Sequence, residues 1–72
     1  MIGYKLTTEQ KESIQGKEYA PYQCFNCVQD INNIWFTFLT DEDKLNIENT
    51  EYKWILDCKE LEYVSPIFTN KI

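Results

Sequence analysis

The stretch Phe25–Phe38, FNCVQDINNIWFTF, constrains the fold more than any other part of this chain. Two apolar runs flank a polar Asp-Ile-Asn-Asn, a pattern that predicts a β-hairpin. Its arms fall at Cys27–Asp30 and Ile34–Leu39. The connection Ile31-Asn32-Asn33 suits a tight turn, because Asn tolerates left-handed backbone angles better than most residues. Side chains alternate across a strand, so Ile34, Phe36 and Phe38 point one way and Trp35, Thr37 and Leu39 the other. The Ile34/Phe36/Phe38 side is the expected core. A second apolar side implies either a strand covered on both faces or one that offers Trp35 to a partner.

Local signals around the hairpin predict two short helices. Thr7-Thr8-Glu9-Gln10 fits a capping box with Thr7 as N-cap, and Gly16 ends the polar run that follows, giving a helix over 8–15. Leu6 and Ile14 are its core-facing residues. Thr40 caps a second helix over 41–47, whose first turn carries Asp41, Glu42 and Asp43, where the helix dipole favours acids. Leu45 and Ile47 are expected to face inward. Gly3–Leu6 reads either as a short strand or as a lead-in, and Lys17–Asn26 as irregular chain. Glu51–Val64 is ambiguous. As one helix, Tyr52, Ile55, Leu56 and Tyr63 fall near one stripe. As strands, Tyr52, Trp54 and Leu56 share a face. The density of rings and β-branched residues favours two strands. Ser65-Pro66 ends regular structure, leaving Ile67–Ile72 as a tail. The expected fold is a small single α+β domain, an antiparallel sheet built on the hairpin at about 27–39.

A chain of 72 residues has a thin core. Eleven aromatic residues (two Trp, five Tyr, four Phe) supply enough ring area to build that core, with some left for an interface. The net charge is −5, and residues 41–62 carry eight acids against three lysines. Such a balance disfavours direct nucleic-acid binding, which needs a basic patch, and suits a basic partner surface. Lysines 44, 53 and 59 interrupt the acids, which argues against a DNA mimic. Residues 1–30 lack an apolar export signal, and Ile34–Leu39 is too short to span a bilayer. With an odd number of cysteines, a reducing cytoplasm is expected.

The chain has no His, which removes imidazole chemistry. Cys24-Phe25-Asn26-Cys27 with Cys58 raises the alternative of a zinc-binding module. Structural zinc sites take four Cys or His ligands, however, and this chain has three. Thiols three apart on a strand also face opposite sides, so small buried apolar residues are the expected role. Asp41-Glu42-Asp43 fails the EF-hand pattern, since Leu45 and Asn46 occupy the fifth and sixth positions. No catalytic set stands out, and neither cofactor nor metal is expected. Trp35, Trp54 and Tyr52 are the candidate binding residues, because Trp and Tyr dominate interface hot spots. Asp41, Glu42 and Asp43 are the candidate acidic surround.

Gly16, Tyr19, Phe25-Asn26, Val28-Gln29-Asp30 and Trp35-Phe36, with Trp54 and Glu62-Tyr63 downstream, form a set that resembles small phage- and prophage-encoded proteins. Asn32-Asn33 departs from the Asn-Gly expected at the turn. The resemblance implies a phage or prophage origin and an extended Tyr52–Leu56. It brings no activity or site residues. The expected function is therefore a small acidic interaction protein, with inhibition of a host protein as one form of it. A minor virion or assembly component fits the same composition, and homodimerisation through edges or aromatic faces stays open.

Overall fold

The computed structural model describes residues 1–66. The tail expected at Ile67–Ile72 lies outside them. Among the described residues the order is β1 (Ile2–Leu6), α1 (Thr8–Ile14), β2 (Glu18–Ala20), β3 (Gln23–Cys24), β4 (Cys27–Gln29), β5 (Trp35–Thr37), α2 (Asp41–Ile47), a 3₁₀ helix (Glu51–Asp57) and β6 (Glu60–Glu62). Four strands form an antiparallel sheet in the order β4-β5-β1-β6, and β2-β3 is a separate hairpin. The α+β class read from the sequence is the observed one. Gly3–Leu6 belongs to an inner strand, and the stretch expected to be irregular holds the second hairpin.

The β4–β5 turn is built on Asp30. Its carboxylate Oδ1 accepts from the backbone N–H of Asn32 at 2.8 Å and of Ile34 at 3.0 Å, and the residue is buried. The Asn33 N–H donates to the Asp30 carbonyl, and the Asp30 N–H to the Ile34 carbonyl, both at 2.9 Å. Asn33 sits at φ 65°. This is the three-residue loop in which a left-handed residue follows the turn, and it needs the tolerance that Asn supplies.

Both faces of the sheet are covered, and the larger core lies opposite to the side expected. Tyr4, Leu6 and Cys27 join Ile14, Phe25, Ile47 and Ile55 under the helices, with Trp35 and Leu39 packed against them. Register explains this grouping: Tyr4, Thr37 and Cys27 stand in one cross-strand row. The Phe36/Phe38 side forms a smaller aromatic cluster with Tyr63, whose ring meets both edge-on at 5.4 and 5.2 Å between centroids. After β6 the chain reaches the far edge of the sheet. The Tyr63 hydroxyl donates to the Gln29 carbonyl at 3.2 Å, and the Ile31 N–H to the Val64 carbonyl at 2.9 Å. The sheet thus curls around these rings, and Phe36 is 1% exposed.

Gly3 makes that curl possible. A Cβ there would lie 2.6 Å from Phe38 Cε1 and 3.0 Å from Phe36 Cδ2. The two rings occupy the space that a side chain would take.

Both capping boxes form, Thr7 with Gln10 and Thr40 with Asp43. Gly16 follows α1 at φ 77°. Leu6 and Ile14 are buried as expected, and so is Ile47. Leu45 is 69% exposed, contrary to expectation: in a two-turn helix only one narrow stripe reaches the core, and Ile47 takes it. Tyr52–Leu56 is a 3₁₀ helix capped by Thr50, whose Oγ1 accepts from the Tyr52 N–H at 3.1 Å. The expected first strand of Glu51–Val64 is thereby corrected, while the second exists as β6. With three residues per turn, Tyr52, Ile55 and Cys58 line up on one side, and Ile55 is fully buried. That spacing favours neither a strand nor an α-helix.

Two substitutions test this account. Gly3→Ala should destabilise by about 1–3 kcal/mol, the cost of overpacking, read as a lower urea midpoint at unchanged slope. At an open strand position the sign would be the reverse. Asp30→Ala strands two turn N–H groups and should cost about 1–3 kcal/mol. Asp30→Asn, which keeps an acceptor oxygen, should recover part of that loss.

Candidate binding cleft

The three aromatic candidates do not share one surface. Trp35 packs against the helix-side core, and Lys11 of α1 lies over its ring at 4.2 Å from the centroid. A cation at that distance is held by the ring quadrupole, so α1 itself covers the face that was free to meet a partner. Tyr52 and Trp54 lie together. They line a cleft of about 250 Å³ with Ser13, Ile14, Lys17 and Glu51, between the end of α1 and the 3₁₀ helix. Both rings also pack against the core, and Tyr52 meets Phe25 edge-on at 4.9 Å. Each therefore has one side buried and one side on the cleft. Lys17 and Glu51 place one charge of each sign at the rim.

The acids of α2 stand elsewhere. Asp41 and Glu42 are exposed, with Asp41 Oδ1 3.8 Å from Lys44 Nζ. Asp43 is committed to structure: its Oδ2 accepts from the Thr40 N–H at 3.0 Å, and its own N–H donates to Thr40 Oγ1 at 3.1 Å. Burial works to raise the Asp43 pKa. Hydrogen bonds from the Thr40 backbone, the Tyr19 hydroxyl and the Thr40 hydroxyl outweigh it and hold the group below the usual carboxylate value. The paired Tyr19 phenol moves the other way, pushed up to about 12 by burial first and by its bond to Asp43 second. The carboxylate is engaged in capping α2.

The cysteines are dispersed by environment. Cys24 is exposed on β3, Cys27 is buried in the core and Cys58 is half-buried at the end of the 3₁₀ helix. Burial raises the Cys27 thiol pKa, partly offset by Lys11 and Thr37. Burial, then Asp57, raises that of Cys58. Among the described residues no group of three or more Cys, His, Asp or Glu is placed to hold a metal. A second hollow, about 340 Å³, is lined by Lys5, Thr7, Gln10, Cys58, Lys59 and Leu61. It touches none of the aromatic candidates.

Sequence reasoning missed the β2–β3 hairpin and its tip. Pro21 signalled a turn there. Nothing signalled that Tyr22 would take φ 65° and stand 98% exposed, its N–H donating to Glu18 Oε2 at 3.2 Å. Among the described residues no helix is long and apolar enough to cross a membrane. No protein-family model, curated protein or solved structure matches the chain.

Thiol labelling reads this arrangement directly. The thiolate is the reactive form and needs access, so one of the three free thiols, Cys24, should react at once with a maleimide in native buffer. Cys27 should react only at the rate at which the chain opens, the half-buried Cys58 at a rate between the two, and all three together in denaturant. Mass spectrometry of the labelled peptides identifies each site.

Proposed function

We propose that this chain is a small, acidic, non-enzymatic protein-interaction protein of phage or prophage type, which binds and inhibits a protein in the cytoplasm of a bacterial host. The observation that carries the proposal is the Tyr52–Trp54 cleft. Two aromatic side chains, each anchored on its inner side by the core, turn their outer sides to a concave surface. Rigid, part-buried rings of this kind are the usual anchors of an interface, because little side-chain freedom is lost when a partner covers them. A partner residue that enters the cleft meets the two rings beside the polar groups of Ser13, Lys17 and Glu51, which can fix its orientation. The bland alternative is that both rings merely seal the edge of a thin core.

Affinity capture from host lysate decides between them. A protein recovered by the natural chain should be retained at least tenfold less by Trp54→Ala, a loss of about 1.4 kcal/mol or more. Lys17→Glu leaves the core untouched and should weaken capture through the rim alone. Circular dichroism checks that both variants are folded. Equal recovery by both variants, or nothing captured above background, would remove the proposal.

A further inference from the structure

The two edges of the four-stranded sheet are treated differently by the rest of the chain. On the β4 edge the outward-facing residues are Cys27, Gln29 and Ile31, and each has a partner. The Cys27 N–H donates to Gln15 Oε1 at 2.9 Å, the Gln29 carbonyl accepts from the Tyr63 hydroxyl at 3.2 Å, and the Ile31 N–H donates to the Val64 carbonyl at 2.9 Å. This edge is closed to another strand.

Among the described residues, nothing covers the β6 edge. The Lys5 N–H donates to the Lys59 carbonyl at 2.8 Å, and the Tyr63 N–H to the Met1 carbonyl at 2.7 Å. With Gly3 opposite Leu61, residues 59, 61 and 63 therefore bond toward β1. Glu60 and Glu62, opposite Tyr4 and Ile2, turn their N–H and C=O groups away from the sheet, as antiparallel alternation requires. Nothing among the described residues pairs with those groups. Glu60 and Glu62 also put two carboxylates on one face of the edge, and Leu61 lies on the other.

From this open edge and its alternation we infer that β6 accepts an extended segment of a partner protein as an added strand, one in which Lys or Arg alternates with apolar residues. Main-chain hydrogen bonds to Glu60 and Glu62 supply the attachment, and the alternate side chains supply the selectivity. Basic residues fall beside the two carboxylates and apolar ones beside Leu61. A second copy of this chain is the wrong occupant, because pairing β6 with itself sets glutamates against glutamates. Part of the acidic charge already has local company. Met1's amino group contacts Glu62, and Lys44 lies near Asp41 and feels Glu60. These are exposed pairs of small worth, and a strand lysine can displace them. The inference rests on the interaction reading only in taking the partner to be a protein; its surface is distinct from the Tyr52–Trp54 cleft.

The test uses the full ¹⁵N-labelled chain and an acetylated octapeptide of alternating Lys and Val. The peptide should move the Glu60 and Glu62 amide resonances and slow their hydrogen exchange. A Glu/Val octapeptide, and a Lys/Val octapeptide methylated at every backbone nitrogen, should each bind at least tenfold more weakly. The protein variant Glu60→Lys with Glu62→Lys should lose at least tenfold in affinity for the unmodified peptide. No binding, or binding that survives full N-methylation, overturns the inference and leaves the glutamates as guards of a bare edge. Shifts confined to Tyr52 and Trp54 overturn it too, while leaving the cleft in place. Edge binding together with Trp54-independent capture would strike the cleft reading alone.

Discussion

The fold depends on the absence of a side chain at Gly3. β1 is an inner strand, and Phe36 and Phe38 lie across it at distances that exclude even a methyl group. With those rings seated, Tyr63 closes over them and carries the chain toward the β4 edge. One glycine thus allows a sheet of very short strands to curl around three rings. A short sheet gains little from its ladder alone, and the aromatic cluster offsets that.

The opposite face is organised by polar groups that fix where apolar ones go. Thr7, Thr40 and Thr50 each start a helical segment through a side-chain oxygen. The segments are too short to persist unaided, so each is held by one or two buried residues: Ile14 on α1, Ile47 on α2 and Ile55 on the 3₁₀ helix. On the same side, α2 packs on β2, where Asp43 and Tyr19 shift each other's pKa in opposite directions. The Asp43 carboxyl is held below its ordinary value, so its contribution is present at neutral pH and is lost as pH falls through the lowered value.

This economy bears on function. Most of the rings are engaged in packing: Phe25 with Tyr19 and Tyr52, Phe36 and Phe38 with Tyr63, and Trp35 beneath Lys11. Among the described residues, the aromatic surface left over includes the outer sides of Tyr52 and Trp54 and, most exposed of all, Tyr22 at the hairpin tip. The acidic second half is likewise divided. Asp43 caps a helix, Asp41 and Glu42 stand in solvent, and Glu60 and Glu62 line the β6 edge of the sheet.

The sequence by itself determined the elements whose signals are local. The Thr7–Gln10 capping box, the Thr40 cap, the glycine after α1, the β4–β5 hairpin and its Asn33 turn follow from residue patterns that span only a few neighbouring positions. They were legible for that reason. Tertiary structure alone decided the matters that depend on distant partners. Alternation showed that β5 has two apolar faces. The helix-side core came to lie on the Trp35 face because Tyr4 and Cys27 pair in register there and the helices follow them. Tyr52–Leu56 has strand-like composition, yet it coils because Ile55 must be buried beside Ile14 and Ile47. Leu45 faces solvent because Ile47 holds the single inward stripe of α2. Of the candidate binding residues, the structure brings Tyr52 and Trp54 together at a cleft, and the cover that Lys11 places on Trp35 comes from a residue twenty-four positions away. No local pattern encodes that contact.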